Sequence, residues 1–232
     1  MVYDTLRLMP PSLARVLWRN DENLLSGVYR LEGQMASSLA RDGLIGGLSE
    51  ATTGAVEQRI VAVAKLVDQQ RPFREVAYEM GKLLRIAADL ADPSVMGAGK
   101  PPLARASSEL HRFVTLHLGE IPLVYDRSLP SPLQGASVPL LLEQVAHATD
   151  GSVERLAKAF WRQGALVPAT EFDFRSVPFA EVSLGYSRAV TAASYLWLAA
   201  WVQANGDLTG YRFSGDNPPQ RFTTSKSNRK RQ

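Results

Sequence analysis

Apolar residues recur at three- and four-residue steps over most of the chain, in segments bounded by proline, glycine and small polar residues. Val56, Ile60, Val63, Ala64 and Val67 line one side of a predicted helix over 49–70, with Arg59, Lys65 and Asp68 on the wetter side. Arg71-Pro72 closes that segment and opens the next, because proline is favoured in a first helical turn. The next helix, 73–90, turns Phe73, Val76, Ala77, Met80, Leu84, Ala87 and Ala88 inward and stops before Asp92-Pro93. Gly81 inside it costs about 1 kcal/mol of helix propensity relative to alanine, which points to a close helix crossing.

The flanking segments follow the same logic. Pro10, Pro11 and Ser12 suit a helix entry and Asp42-Gly43 an exit. Between them, Leu13, Val16 and Leu17 form one cluster and Leu24, Leu25, Val28 and Leu31 another, divided at Asn20-Asp21. Glycine density makes 43–47 a loop, and 96–102 is also loop-like. A helix follows over 103–118 with Leu110, Phe113 and Leu116 apolar, then a proline-bearing loop over 121–137. Two short helices are predicted at 138–149 and 152–163, an irregular stretch at 165–178, and a long last helix at 179–204. That last helix buries Val182, Tyr186, Ala189, Val190, Ala193, Trp197 and Trp201, and Asn205-Gly206 fits its stop. Many helices, hardly one strand and no fixed-period repeat predict an all-α, multi-helix single domain over 1–210 with a flexible tail over 211–232.

Charge changes the picture at one end. The net charge of +3 depends on Arg221, Lys226, Arg229, Lys230 and Arg231; taking these five away leaves a body of −2. Such a tail is either a solubilising end or, through Lys226, Arg229, Lys230 and Arg231, a contact for nucleic acid, anionic lipid or an acidic protein surface. The body carries no helix-turn-helix, zinc-finger or RNA-binding strand pattern. Cysteine is absent, which excludes disulfides, thiolate nucleophiles, iron–sulfur clusters and thiolate zinc sites. The first residues, MVYDTLRLMPPSL, lack a basic stretch followed by an apolar one, so the expected location is cytoplasmic, or exported if a leader was removed. The most apolar run, 189–202, is interrupted by Thr191 and Ser194 and is shorter than a membrane span, as suits a buried helix.

Candidate chemistry is sparse. The three histidines are His111, His117 and His147. His147, beside Ala148-Thr149-Asp150, reads as a surface or capping residue near a helix end. His111 and His117 are six residues apart and diverge by roughly 120° on a helix, a poor arrangement for gripping one ion. No serine sits in a GxSxG elbow, and Gly97-Ala98-Gly99-Lys100 is too short for a phosphate loop.

The segment GKLLRIAADLADPSV, 81–95, resembles the central helix of bacterial zinc-dependent phospholipases C and, more distantly, of the S1/P1 nucleases. That helix carries glycine and then His-x-x-x-Asp-x-x-x-Pro-x-His; here the matching positions hold Gly81, Arg85, Asp89, Pro93 and Val95. A following histidine with an acid four residues on is matched by His111 and Thr115, and Leu8-Met9-Pro10 has no histidine before it. The resemblance implies an all-helical phosphodiesterase fold whose metal ligands are mostly missing. A zinc cluster needs several imidazoles and carboxylates at about 2.0–2.2 Å, which guanidinium and isopropyl groups cannot replace. Arg85 and Asp89, one turn apart, are instead spaced for an ion pair at a vestigial site.

Three functions follow as expectations. The first is a non-catalytic scaffold or protein-interaction module with no metal or cofactor and an unidentified protein partner. The second is a phosphodiester hydrolase with a reduced zinc site around Asp89 and His111. The third is anionic membrane or nucleic-acid binding through the tail.

Overall fold

The computed structural model describes residues 1–30, 48–123 and 137–211. The predicted exit at Asp42-Gly43, the loop at 43–47, most of the loop at 121–137 and nearly all of the tail lie outside these residues.

The N-terminal segment divides where Asn20-Asp21 predicts. Helix α1 (Val2–Arg7), α2 (Pro11–Trp18) and α3 (Asp21–Tyr29) are separate, with Asn20 donating its side-chain amide to Val16 O at 2.8 Å across the break. Helix α4 (Glu50–Asp68) starts from Ser49, whose hydroxyl accepts from the Thr52 backbone N–H and so satisfies one of the free first-turn donors. Beyond its end at Asp68 and the cap at Gln69, Gln70 lies in the left-handed region at φ 53°.

Helix α5 (Phe73–Ala91) is the organising element, packed against α3 on one side and α9 (Val177–Gln203) on another. Gly81 meets Gly27 of α3: a Cβ on Gly81 would lie 2.1 Å from Leu24 O, and one on Gly27 would lie 2.0 Å from Tyr78 O. The crossing that Gly81 predicts is therefore backbone against backbone. Helix α9 is buried almost all round from Arg188 to Val202, as an apolar helix without a polar face must be. Its Trp197 is fully buried and donates its indole N–H to Met80 O of α5 at 2.7 Å. The polar residues inside it bond back to their own turns: Ser187 to Ser183 O, Thr191 to Ser187 O and Ser194 to Thr191 O.

After α5 come a short α6 (Pro93–Met96), which the sequence pattern does not predict, and α7 (Pro101–His117), which begins within the predicted loop at 96–102. Leu110 and Phe113 of α7 are buried, whereas Leu116 is exposed. Two helices are predicted over 138–163, but one continuous α8 (Val138–Phe160) is found. Thr149-Asp150-Gly151-Ser152 reads locally as a break, yet Thr149 and Ser152 are buried and their hydroxyls bond back to Val145 O and Ala148 O. Burial of the flanking turns overrides the local preference. One further correction follows: His147 lies in the middle of α8, exposed, and not near a helix end.

The end predicted as helix to Gln163 is instead a small hairpin. Trp161 pairs with Leu166 and Arg162 with Ala165, closed by Gln163 and Gly164 at φ 52° and 82°. Positive φ at both central residues is the turn geometry that matches strand twist. A single 3-10 turn, Ala169–Glu171, leads to α9. The described chain is otherwise an all-helical, multi-helix single domain, and none of its described helices is long and apolar enough to cross a membrane.

Candidate functional site

The C-terminal turns of α5 place Arg85, Ala88 and Asp89 in sequence, and the chain then bends at Asp92 to begin α6. Asp92 makes this bend by accepting from the Ser94 backbone N–H and hydroxyl, both at 2.7 Å. Two concave regions open on either side of this corner. The first, about 510 Å³, lies among α1, α3 and α5; Tyr3, Tyr29, Arg85, Asp89 and Asp92 supply its polar groups. The second, about 210 Å³, is mainly apolar and includes Leu110, His111, Val114, Val182 and Tyr186. Met1, Ala88 and Asp92 border both.

Asp89 is the most constrained of these groups. Its Oδ1 accepts from Arg85 Nε at 2.7 Å, one helical turn away. Its Oδ2 is buried and has no hydrogen-bond partner. Burial pushes the Asp89 carboxyl above its ordinary value, the charge and hydrogen bond of Arg85 pull the other way, and the charge of Asp92 adds to the rise. Arg85 is 40% exposed at its side chain and Asp89 only 7%, so the arginine is half in water and the acid is not.

The other residues singled out in the sequence are distributed rather than gathered. His111 is exposed on α7 and borders the second cavity, whereas Asp89 borders the first. Thr115 turns its hydroxyl back onto its own helix, donating to His111 O at 2.9 Å. Val95 is half-buried on α6. His117 pairs through Nδ1 with Glu120 at 2.7 Å and packs its ring on Phe113, centroid to centroid 4.6 Å. Among the described residues, no three histidine, aspartate or glutamate side chains converge in a group that could hold a metal ion. The tail residues Lys226, Arg229, Lys230 and Arg231 lie outside the described residues.

Several groups around the two cavities were not read from the sequence as site residues. Tyr186 donates its hydroxyl to Asp4 Oδ2 at 2.5 Å, and burial together with that bond raises its ionisation far above the ordinary range. Trp18 is 57% exposed and packs against Tyr3, itself 50% exposed, with ring centroids 5.1 Å apart and planes tilted by 50°; Tyr29 is 79% exposed. Tyr3 and Tyr29 both border the first cavity, so the three rings and the cavity form one face. One signal was present: Leu13 and Leu17 define the buried stripe of α2, and Trp18 stands off it. A large apolar residue beside, rather than in, an apolar stripe marks a surface position. No family model, curated protein or solved structure matches the chain, so the geometry of this face carries the functional reading by itself.

Proposed function

We propose that the chain is a non-catalytic helical protein-interaction module whose working surface is the face bearing Tyr3, Trp18 and Tyr29. The observation that carries this reading is the exposure of all three rings, two of them in contact, on adjoining N-terminal helices. Tryptophan and tyrosine are enriched where proteins meet, because each buries a large rigid area at little entropic cost. Left in water, they represent surface that a partner would desolvate. The non-catalytic part rests on Arg85, whose permanent charge occupies Asp89 Oδ1, and on His111 bordering a different cavity from Asp89. The resemblance to zinc-dependent phospholipases C enters as shared shape: Arg85 stands where that helix has a histidine and puts fixed positive charge beside the acid.

The test compares the wild-type chain with Trp18→Ala and Tyr29→Ala in cross-linking capture followed by identification. Both positions are surface sites, so stability is expected to change by no more than about 0.5 kcal/mol. A protein captured by the wild type and lost from both variants supports the reading. Capture that both variants retain in full removes this face from it. Stoichiometric zinc in the purified chain, together with turnover of a simple phosphodiester, would replace it with a hydrolase built around Asp89 and His111.

A further inference from the structure

The second cavity is a separate space with a separate chemistry. Ala88 and Ala91 border it from α5, and Gly185 and Ala189 from α9. All four are small. Gly185 lets α9 come close to the end of α5, since an added Cβ would lie 3.0 Å from Ala91 O. Side chains of this size leave a space of about 210 Å³. Val114 of α7 and Val182 of α9, both half-buried, add branched apolar wall. The lining runs from buried Leu110 to Leu118, which is 65% exposed, so the space reaches from the core to solvent.

The polar side chains in this wall have little left to offer water. Ser94 donates its hydroxyl to Asp92, and Tyr186 donates its own to Asp4. A water held in a cavity needs about two to four polar partners, whereas an apolar cavity of about 150 Å³ stays dry and takes benzene. An unfilled space of this kind also forfeits dispersion contacts along its lining. Charge does not enter the account. No lysine or arginine side chain lines the cavity among the described residues, so a buried anion would lack a counterion there. The Met1 amino group at its edge is paired with Asp4 Oδ2 at 3.8 Å. Asp92 already accepts twice from Ser94 through Oδ1 and calls for no cation.

We propose that this cavity is a binding site for a compact, uncharged hydrocarbon group, no larger than two fused rings, held between Val114 of α7 and Val182 of α9. The site goes beyond the partner-docking reading and uses none of its three rings.

The test is calorimetric titration of the full chain with indole and with n-octanol. At least one should bind saturably. Tighter binding of indole identifies an aromatic group as the natural occupant, and tighter binding of n-octanol a short alkyl chain. Charged forms of the tighter binder, tryptamine and indole-3-acetate or octylamine and octanoate, should bind at least about tenfold more weakly. Val114→Phe and Val182→Phe fill the space from opposite sides, and each, with its thermal melt verified, should weaken binding by about tenfold or more. Trp18→Ala should leave it unchanged, because Trp18 does not border the cavity. Loss of partner capture in that variant with probe binding intact separates the two readings. No saturable binding of either probe overturns the proposal, as does equal or tighter binding of a charged form. Full affinity in a folded valine variant also overturns it. Should neither variant fold, methyl resonances of the wild-type chain decide: the probe should shift those of Val114 and Val182, and shifts confined to the N-terminal face overturn the proposal.

Discussion

Asp89 and Glu181 are both buried carboxylates bonded to an arginine, yet their net shifts run in opposite directions. Burial raises both. At Asp89 it prevails over one Arg85 hydrogen bond and charge, and the carboxyl ends above its ordinary 3.8. At Glu181 the hydrogen bonds from Arg155 and Ser152 and the charges of Arg155 and Arg188 outweigh it, and the carboxyl ends below 4.5. Arg155 bonds Glu181 through both Nε and Nη2, while Arg188, itself buried, donates to Ser152. The stability signs follow. Folded Asp89 holds its proton to higher pH than the unfolded chain does, so its contribution declines as pH rises from 3.8 through the raised value. Glu181 contributes stability above 4.5 that is lost as pH falls through its lowered value. Asp89→Asn should therefore gain progressively on wild type in melting temperature as pH rises through that window. Thermal melts across a pH series check this, and a difference that is flat or reversed would refute it. The Arg85–Asp89 contact spans one turn, and residue spacing carries contacts of that kind. The cavity around it joins Tyr3 and Tyr29 to Asp89 across some sixty or more residues, a proximity that only tertiary packing creates.

Glycine has three different meanings in these helices, and local sequence distinguishes them incompletely. At Gly81 the backbone of α3 occupies the space of a side chain, so Gly81→Ala should destabilise by about 1–3 kcal/mol despite alanine's better helix propensity. At Gly54, inside α4, an added Cβ meets nothing within 4 Å, so Gly54→Ala should stabilise by about 0.5–1 kcal/mol. Urea midpoints of the two variants should move in opposite directions; movement in the same direction would contradict the crossing geometry. At Gly151 the helix simply continues, although Asp150-Gly151-Ser152 carries the residues of a turn. The elements that sequence located well have long periodic stripes, such as α4 and α5, where apolar spacing and tertiary burial agree. Those it misplaced are short or locally ambiguous. The hairpin at 161–166 has two-residue strands, too brief for any alternation to register. The break at 149–152 was overruled by contacts that α8 makes with distant helices.

On the scale of the whole chain, charge is distributed unequally along the sequence. The last twelve residues bear five cations and no acid, against a body of −2. If the tail contacts polyanions, deleting residues 221–232 should abolish salt-sensitive binding to heparin or duplex DNA. With five cations engaged, the logarithmic dependence of DNA affinity on salt should have a slope no steeper than about −4.5, falling toward zero on deletion. Retention that survives deletion would place the contact on the helical body instead.

Two of the four indoles of the molecule occupy very different surroundings. Trp197 sits sealed between α5 and α9 with its N–H committed to Met80 O, whereas Trp18 stands in water against Tyr3. A soluble collisional quencher therefore reaches Trp18, and to a lesser extent the half-buried Trp161, but not Trp197 or the buried Trp201. With Trp161 replaced by phenylalanine the protein carries an optical contrast: shielding of the red-emitting component reports occupancy of the N-terminal face, while the blue component from Trp197 and Trp201 stays as an internal gauge that the helical interior is intact.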